Sequence, residues 1–262
     1  MALQYHLKVD DGDVAPFVLL PGDPGRVPLV AATWDDAREV ARNREYVTYT
    51  GTYKGVPISC TSTGIGAPST AIAVEELARV GARTFVRIGT CGTFRHDVAL
   101  GDLAIFDAAE RFDGASRLYA PIEFPAAAHH EVVAAAIEAA GRVGVPFHVG
   151  TTHSTDLFYP PRPGGSAGGV VQSAWAERYE DIARRGVLGV EMEASVIFVL
   201  ARQWGMRGGA IAVVTDSMVE EMSPASGDWD PQASFVYGPE QIERLARAGS
   251  EIAVVLAERD AR

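Results

Sequence analysis

Three arginines and a pair of carboxylates are the residues of this chain best suited to chemistry. Arg87 sits inside an otherwise apolar run, Thr84-Phe-Val-Arg-Ile-Gly89, where a guanidinium is costly to bury without a partner. A carboxylate such as Glu75 or Glu76 would compensate it as an ion pair. A bound phosphate would also compensate it, because the guanidinium fork matches phosphate oxygens in shape and charge. Arg26 follows a glycine turn, Pro21-Gly-Asp-Pro-Gly-Arg26, and Arg44 precedes a strand-like run. At Glu191-Met-Glu193 two carboxylates flank an apolar residue where a helical pattern begins. A helix start favours acidic side chains by itself. A carboxylate there also suits a sugar, whose vicinal hydroxyls can donate to it.

The elements that must hold these residues alternate between short β-rich runs and helical patterns, which predicts an α/β fold. Phe17–Leu20, Tyr46–Thr52, Val56–Thr63, Thr84–Ile88, Asp102–Phe106, His148–Thr152 and Gly209–Thr215 read as strands or extended segments. Lys54-Gly55 reads as the turn of a hairpin. Helices are predicted from Pro68 or Ser69 through Val80, over Glu131–Val143, over Glu193–Trp204, and at the C-terminus, where Ile242, Leu245, Ile252 and Val255 mark an apolar face. Pro, Gly and Ser concentrate between Pro160 and Gly169, predicting a mobile surface loop. Four strand ends carry polar or glycine-rich residues: Gly22–Arg26, Gly64–Ser69, Arg87–Gly92 and Thr215–Ser217. Ligands of open α/β sheets bind where strands give way to loops. Glycine lets the backbone approach an anion there, and a helix N-terminus offers free N–H groups. No linker or internal repeat divides residues 1–262, so one domain is expected.

Bulk composition limits the partners. The 262 residues carry a net charge of −11, with 47% hydrophobic and 22% charged residues. That is the profile of a soluble globular protein. It argues against nucleic acid and anionic membranes, both of which need a basic surface. A small anion remains possible where arginines gather locally. Cys60 and Cys91 lie in apolar runs and are expected to be reduced, buried thiols of a cytoplasmic protein. Neither joins a Cys/His set with metal-ligand spacing, so no metal is expected. The opening residues Met1–Lys8 lack a charged segment followed by an apolar one, so no signal peptide is expected, and no apolar run reaches the length of a membrane span.

A set of segments in order identifies a resemblance. Pro21-Gly-Asp-Pro-Gly-Arg26, Ser62-Thr-Gly-Ile-Gly-Ala-Pro-Ser69, Ala73-Val-Glu-Glu-Leu77, Arg87-Ile-Gly-Thr90 with Gly92, Asp113-Gly-Ala-Ser116, Pro121-Ile-Glu-Phe-Pro125 and Glu191-Met-Glu193 are together similar to the nucleoside phosphorylase-I family, and most of all to its uridine phosphorylase branch. The resemblance runs from His6 to about Val214. It implies one α/β domain with a central mixed, partly barrel-like sheet flanked by helices. It implies phosphate-dependent cleavage of the bond between a nucleoside's base and its (deoxy)ribose. Inorganic phosphate is then a co-substrate, and no cofactor is expected.

The resemblance also implies roles. Gly22, Arg26, Arg87 and Thr90 resemble the family's phosphate site, with Thr90 also near the sugar. Met192 and Glu193 resemble the ribose floor, with Glu193 holding the 2′- and 3′-hydroxyls. Phe158 resembles the aromatic residue that packs on the base, and Glu191 is grouped with it. Arg44 resembles an arginine lent by a neighbouring subunit, and His6 a histidine that crosses the same interface towards the ribose 5′-hydroxyl. By itself His6 would read as a solvated terminal residue. The expected assembly is a homo-oligomer built from dimers, usually a hexamer.

The base end departs from the uridine phosphorylase pattern. Relatives read uracil with a glutamine and an arginine just after Phe-Tyr-Pro, whereas here Arg162 and Gly164 take those places. Polar atoms left unmatched cost about 1–3 kcal/mol each. The late strand ends in Val-Thr-Asp216-Ser217, and Asp216 resembles the aspartate that serves the purine N7 in purine nucleoside phosphorylases. As an acid it would protonate a departing purine; as a plain strand-end aspartate it would only cap a turn. Trp229 lies in a later loop and reads as its anchor or as a cover for the base. The expected activity is therefore a nucleoside phosphorylase leaning towards purines, with catalysis by Asp216, Arg87 and Glu193. The alternative is a uridine phosphorylase that uses Arg162. A water-using nucleosidase is less favoured, because related hydrolases lack the full set of Arg26, Arg44 and Arg87; a non-catalytic nucleoside binder is a further, less favoured reading.

Overall fold

The computed structural model describes residues 3–159, 173–218 and 238–262. Arg162, Gly164, Trp229 and the loop expected at Pro160–Gly169 lie outside them.

The long run around Arg87 becomes the strand that organises the molecule. β5 (Thr84–Thr93) is flanked in chain order by β1 (Phe17–Leu20), β2 (Asp36–Asn43), β3 (Tyr46–Tyr53) and β4 (Val56–Thr61), then by β6 (Leu103–Phe112), β7 (Phe147–Thr155), β8 (Gly189–Glu191) and β9 (Arg207–Ser217). The nine strands form one mixed sheet in the order β2-β3-β4-β1-β5-β8-β7-β6-β9. A further parallel pairing of β5 with β9 closes the second half into a five-stranded barrel-like ring. β5 exceeds the run expected from its apolar residues because it has three partners. Its first half pairs with β1, Gly92 and Thr93 pair with β8, and β9 follows it throughout. Pairing with β7 likewise carries β6 on to Phe112.

Helices cover both faces. The helices α2 (Ala67–Arg79), α3 (Ala115–Tyr119) and α6 (Ala194–Gln203) lie on one side. On the other lie α1 (Arg26–Ala31), α4 (His130–Val143) and α7 (Pro239–Asp260), where Leu245, Ile252 and Val255 are buried as their spacing predicts. α5 (Ser173–Arg184) instead brings Tyr179 and Ile182 against Phe94, Val187 and Met218 at one end of the ring. Burial on both faces explains why the central strands are nearly continuous apolar runs. β2 is the exception. Most of its residues are exposed, so it carries no alternation to predict it. Lys54-Gly55 is the expected hairpin turn, with both residues at positive φ. Cys60 and Cys91 are free, buried thiols, their pKa values raised by burial. Among the described residues no helix is long and apolar enough to cross a membrane.

Candidate active site

The ends of β1, β4, β5, β7, β8 and β9 converge on a cavity of ≈ 610 Å³. Gly22, Arg26, Arg87, Thr90, Phe158, Glu191, Met192, Glu193 and Asp216 all line it. These residues span most of the chain, and the sheet brings them together.

The loops after β1 and β4 are stitched into one rim: Thr63 N–H donates to Pro21 O at 2.9 Å and Gly64 N–H to Gly22 O at 3.0 Å. Arg26 opens α1 beside this rim, with its Nε 3.9 Å from Asp23 Oδ2. Arg87 is 5% exposed. Its partner is neither Glu75 nor Glu76. Nη2 lies 2.6 Å from Glu193 Oε2, and Nε lies 2.9 Å from Glu191 Oε2 without the alignment of a hydrogen bond. Glu76 is spent elsewhere, on the N-terminal segment. Gly89 makes the Arg87 geometry possible. A Cβ at that position would come within 2.7 Å of Arg87 Cζ, so the guanidinium could not fold back over a strand residue with a side chain. Burial opposes the charge on Arg87, but the carboxylates of Glu193 and Glu191 outweigh it and raise its pKa. Burial raises the pKa of Glu193, with Arg87 pulling the other way.

Glu193 stands at the N-terminus of α6, and its Oε1 accepts the Gly66 N–H at 2.6 Å. Glu191 does different work from Glu193. Its Oε2 accepts the N–H groups of Glu193 and Ala194, each at 2.8 Å, capping α6. Its Oε1 accepts the Ser154 hydroxyl, and its side chain is fully buried. Glu191 thus caps α6 and lies against Arg87, with both of its oxygens engaged.

At the other end of the cavity, Asp216 is 5% exposed and its Oδ1 accepts the Thr215 hydroxyl at 2.9 Å. The backbone of Gly92 leaves room for it, since a Cβ there would lie 2.7 Å from Asp216 Oδ2. Phe158 is half exposed at the mouth. Thr155, Leu157, Tyr179, Val190 and Met218 complete this end, and Glu45, Ile65 and Ser69 lie on the rim. Ile65 and Ser69 belong to the Gly64–Ser69 strand end singled out in the sequence; the others were not anticipated as site residues. Tyr179 comes from α5, whose apolar stripe is short; burial pushes its phenol up to about 12, so it stays neutral.

His6 and Arg44 do not line the cavity of their own chain. They lie close together, because Asn43 Nδ2 donates to His6 O at 2.7 Å. Arg44 is exposed in the two-residue turn between β2 and β3, at φ 54°. Glu76 anchors His6. Its carboxylate accepts the N–H groups of His6 and Leu7 and sits 2.7 Å from His6 Nδ1. Among the described residues no cluster of three His, Cys, Asp or Glu side chains is arranged to hold a metal ion.

Residues 16–252 match the model of the phosphorylase superfamily. The chain is 47% identical over 226 residues to a uridine phosphorylase of Thermococcus kodakarensis, covering 86% of this chain and 82% of that protein. It is 40% identical to a guanosine phosphorylase of Halorubrum lacusprofundi, covering 84% and 86%. It is also 40% identical to a uridine phosphorylase of Escherichia coli, covering 84% and 88%.

Proposed function

The chain belongs to the phosphorylase superfamily, and from that premise we propose that it is a nucleoside phosphorylase, a pentosyltransferase, that cleaves uridine to uracil and ribose 1-phosphate. The gathering of Arg26, Arg87, Thr90 and Glu193 around one cavity carries the reading of the reaction. The sequence alone leans towards purines. The relatives named as uridine phosphorylases, one of them 47% identical, move the preference to uridine.

In this reading phosphate lies against Gly22, Arg26, Arg87 and Thr90. Met192 and Glu193 hold the ribose, with Glu193 accepting from its 2′- and 3′-hydroxyls. One phosphate oxygen forms the new bond to C1′ as the C1′–N bond breaks, and the base leaves with the electron pair. Holding the oxygen in line with C1′ removes much of the entropic barrier. Phe158 covers the base; Arg162, which the sequence offers as a reader of uracil, lies outside the described residues. The missing hands at the phosphate and the 5′-hydroxyl are Arg44 and His6 of a second copy. Two features support this assembly: both residues lie outside their own cavity, and Ile65 lines the mouth while 78% exposed. The functional unit is then at least a dimer, and no cofactor is needed.

A second reading, guanosine or inosine as substrate, is supported by Asp216, a buried carboxyl on the cavity wall that as an acid would protonate a leaving purine. The 40% identical guanosine phosphorylase lends it weight. The test is base release from uridine, inosine and guanosine, with and without phosphate. Turnover of uridine that requires phosphate is expected. Equal rates without phosphate would overturn phosphorolysis, and turnover of purine nucleosides alone would overturn the uridine preference.

A further inference from the structure

We propose that Ser154 is a positioning residue for phosphate binding, acting through Glu191 on Arg87. It rests on the reading of Arg87 as a phosphate ligand. Ser154 is not among the residues that line the cavity. It is fully buried on β7, directly opposite Glu191 in the β7–β8 register. Its hydroxyl donates to Glu191 Oε1 and accepts the Ser195 N–H at 3.1 Å. One side chain thereby ties together β7, β8 and the first turn of α6.

The consequence falls on Arg87. Glu191 has two oxygens and an arginine beside it. Oε2 is committed to two α6 N–H groups and touches Arg87 Nε only in a misaligned contact. Oε1 is turned away by Ser154, its hydroxyl donor. Without that hydroxyl, Oε1 would be a buried charged acceptor with no donor, a costly state. Two donors lie beside it: the Ser195 N–H freed by the same change, and the Arg87 guanidinium, whose Nε is already 2.9 Å from Oε2 and whose charge makes it the stronger attraction. A carboxylate that turns onto Arg87 forms a bidentate pair and competes with phosphate for the same N–H groups. Ser154 therefore keeps Arg87 available to an incoming anion.

Ser195 provides the control. Its hydroxyl is equally buried and donates to Asp113 Oδ2, away from Glu191. Ser154→Ala loses two buried hydrogen bonds, to Glu191 and from Ser195 N–H, and Ser195→Ala loses one, so both should lower Tm. Ser154→Ala should raise the phosphate KM about tenfold, the effect of losing one hydrogen bond to a charged group, with the nucleoside KM changed less than about twofold. Ser195→Ala should leave both KM values near those of the parent. Ser154→Cys, whose thiol is a weak donor, should fall between parent and alanine. Phosphate titrated alone, followed by the rise in Tm, should show the same order without turnover. Equal phosphate KM changes in the two alanine variants would overturn the proposal, as would a Ser154→Ala protein that is less stable but has an unchanged phosphate KM. If the parent itself shows no dependence on phosphate, the phosphorylase reading has failed, and this proposal falls with it before any variant is made.

Discussion

Arg87 and Glu193 form a buried ion pair, Nη2 to Oε2 at 2.6 Å, although the proposed reading gives one to phosphate and the other to ribose. Both are at least nine-tenths buried. In the absence of substrates each compensates the other's charge, and Glu191 shares the load. Removing only the cation leaves two buried carboxylates facing each other. Breaking such a pair typically costs about 3–5 kcal/mol, whereas replacing both partners by neutral groups is often close to neutral. Arg87→Met should therefore lower Tm sharply. Adding Glu193→Gln should recover a good part of that loss while restoring no activity. Thermal unfolding of the single and double variants checks this. A double variant no more stable than Arg87→Met would show that the pair is not what balances Arg87.

Asp216 distinguishes the two base readings. The carboxyl is buried in the cavity wall, with Gly92 leaving room for it. Asp216→Asn keeps the shape and removes the proton donor. General acid catalysis contributes typically about 10²–10⁴-fold. If Asp216 protonates a departing purine, kcat on guanosine or inosine should fall by about 10²-fold or more, while uridine turnover changes little. A comparable fall on uridine would instead make Asp216 a part of the pyrimidine site.

Some of this site was legible from single residues. Arg87 stands out because a strand otherwise made of Phe, Val and Ile has no local reason to hold a charge. Its true partners were not legible. Glu191 and Glu193 lie about a hundred positions later, and only the closing of β5 onto β8 brings them near. Glu75 and Glu76 were closer in sequence, but the phase of α2 turns Glu76 to the N-terminal segment and leaves Glu75 near the surface with Arg79. The capping role of Glu191 was visible as an acidic residue at a helix start. Its bond to Ser154 was not, because it depends on the β7–β8 register. The strands buried on both faces announced themselves by composition, whereas β2 and the six-residue α1 carry too little apolar pattern to do so.

Arg44 holds a strained backbone position while its side chain is exposed and outside the cavity of its own chain. At φ 54° it adopts the left-handed backbone conformation that non-glycine residues avoid at a cost of order 1–2 kcal/mol. Glycine adopts that conformation freely, although it loses about 0.5–1 kcal/mol through the flexibility of the unfolded chain. Arg44→Gly should therefore leave Tm nearly unchanged. Its phosphate KM should nonetheless rise by about tenfold or more, the scale of one lost charge-assisted contact. Mixing the Arg44→Ala chain with an inactive Glu193→Ala chain extends the test. If the arginine serves the neighbouring site, hybrid dimers contain one site with both residues intact, and some activity returns. Hybrid dimers that form without activity would refute the shared site.

Glu76 should link pH to the reach of His6. Burial works to raise its pKa, but the N–H groups of Leu7 and His6 and the imidazole together outweigh that and hold it below the ordinary value. A depressed carboxyl pKa stabilises the fold above the unfolded value, about 4.3 for glutamate, and that contribution is lost as pH falls through the lower folded value. Glu76→Gln keeps an acceptor but cannot ionise, so this part of the acid unfolding limb should disappear. The N-terminal segment should also loosen at neutral pH, because one carboxylate oxygen becomes an amide that cannot accept from Leu7 or His6. If His6 meets the ribose 5′-hydroxyl of a neighbour's substrate, kcat/KM on uridine should fall about tenfold, the scale of one hydrogen bond to a charged or polar group. On 5′-deoxyuridine, which lacks that hydroxyl, the same variant should lose little. An equal loss on both substrates would mean that Glu76 supports α2 and the cavity rim, and that His6 does not reach the sugar.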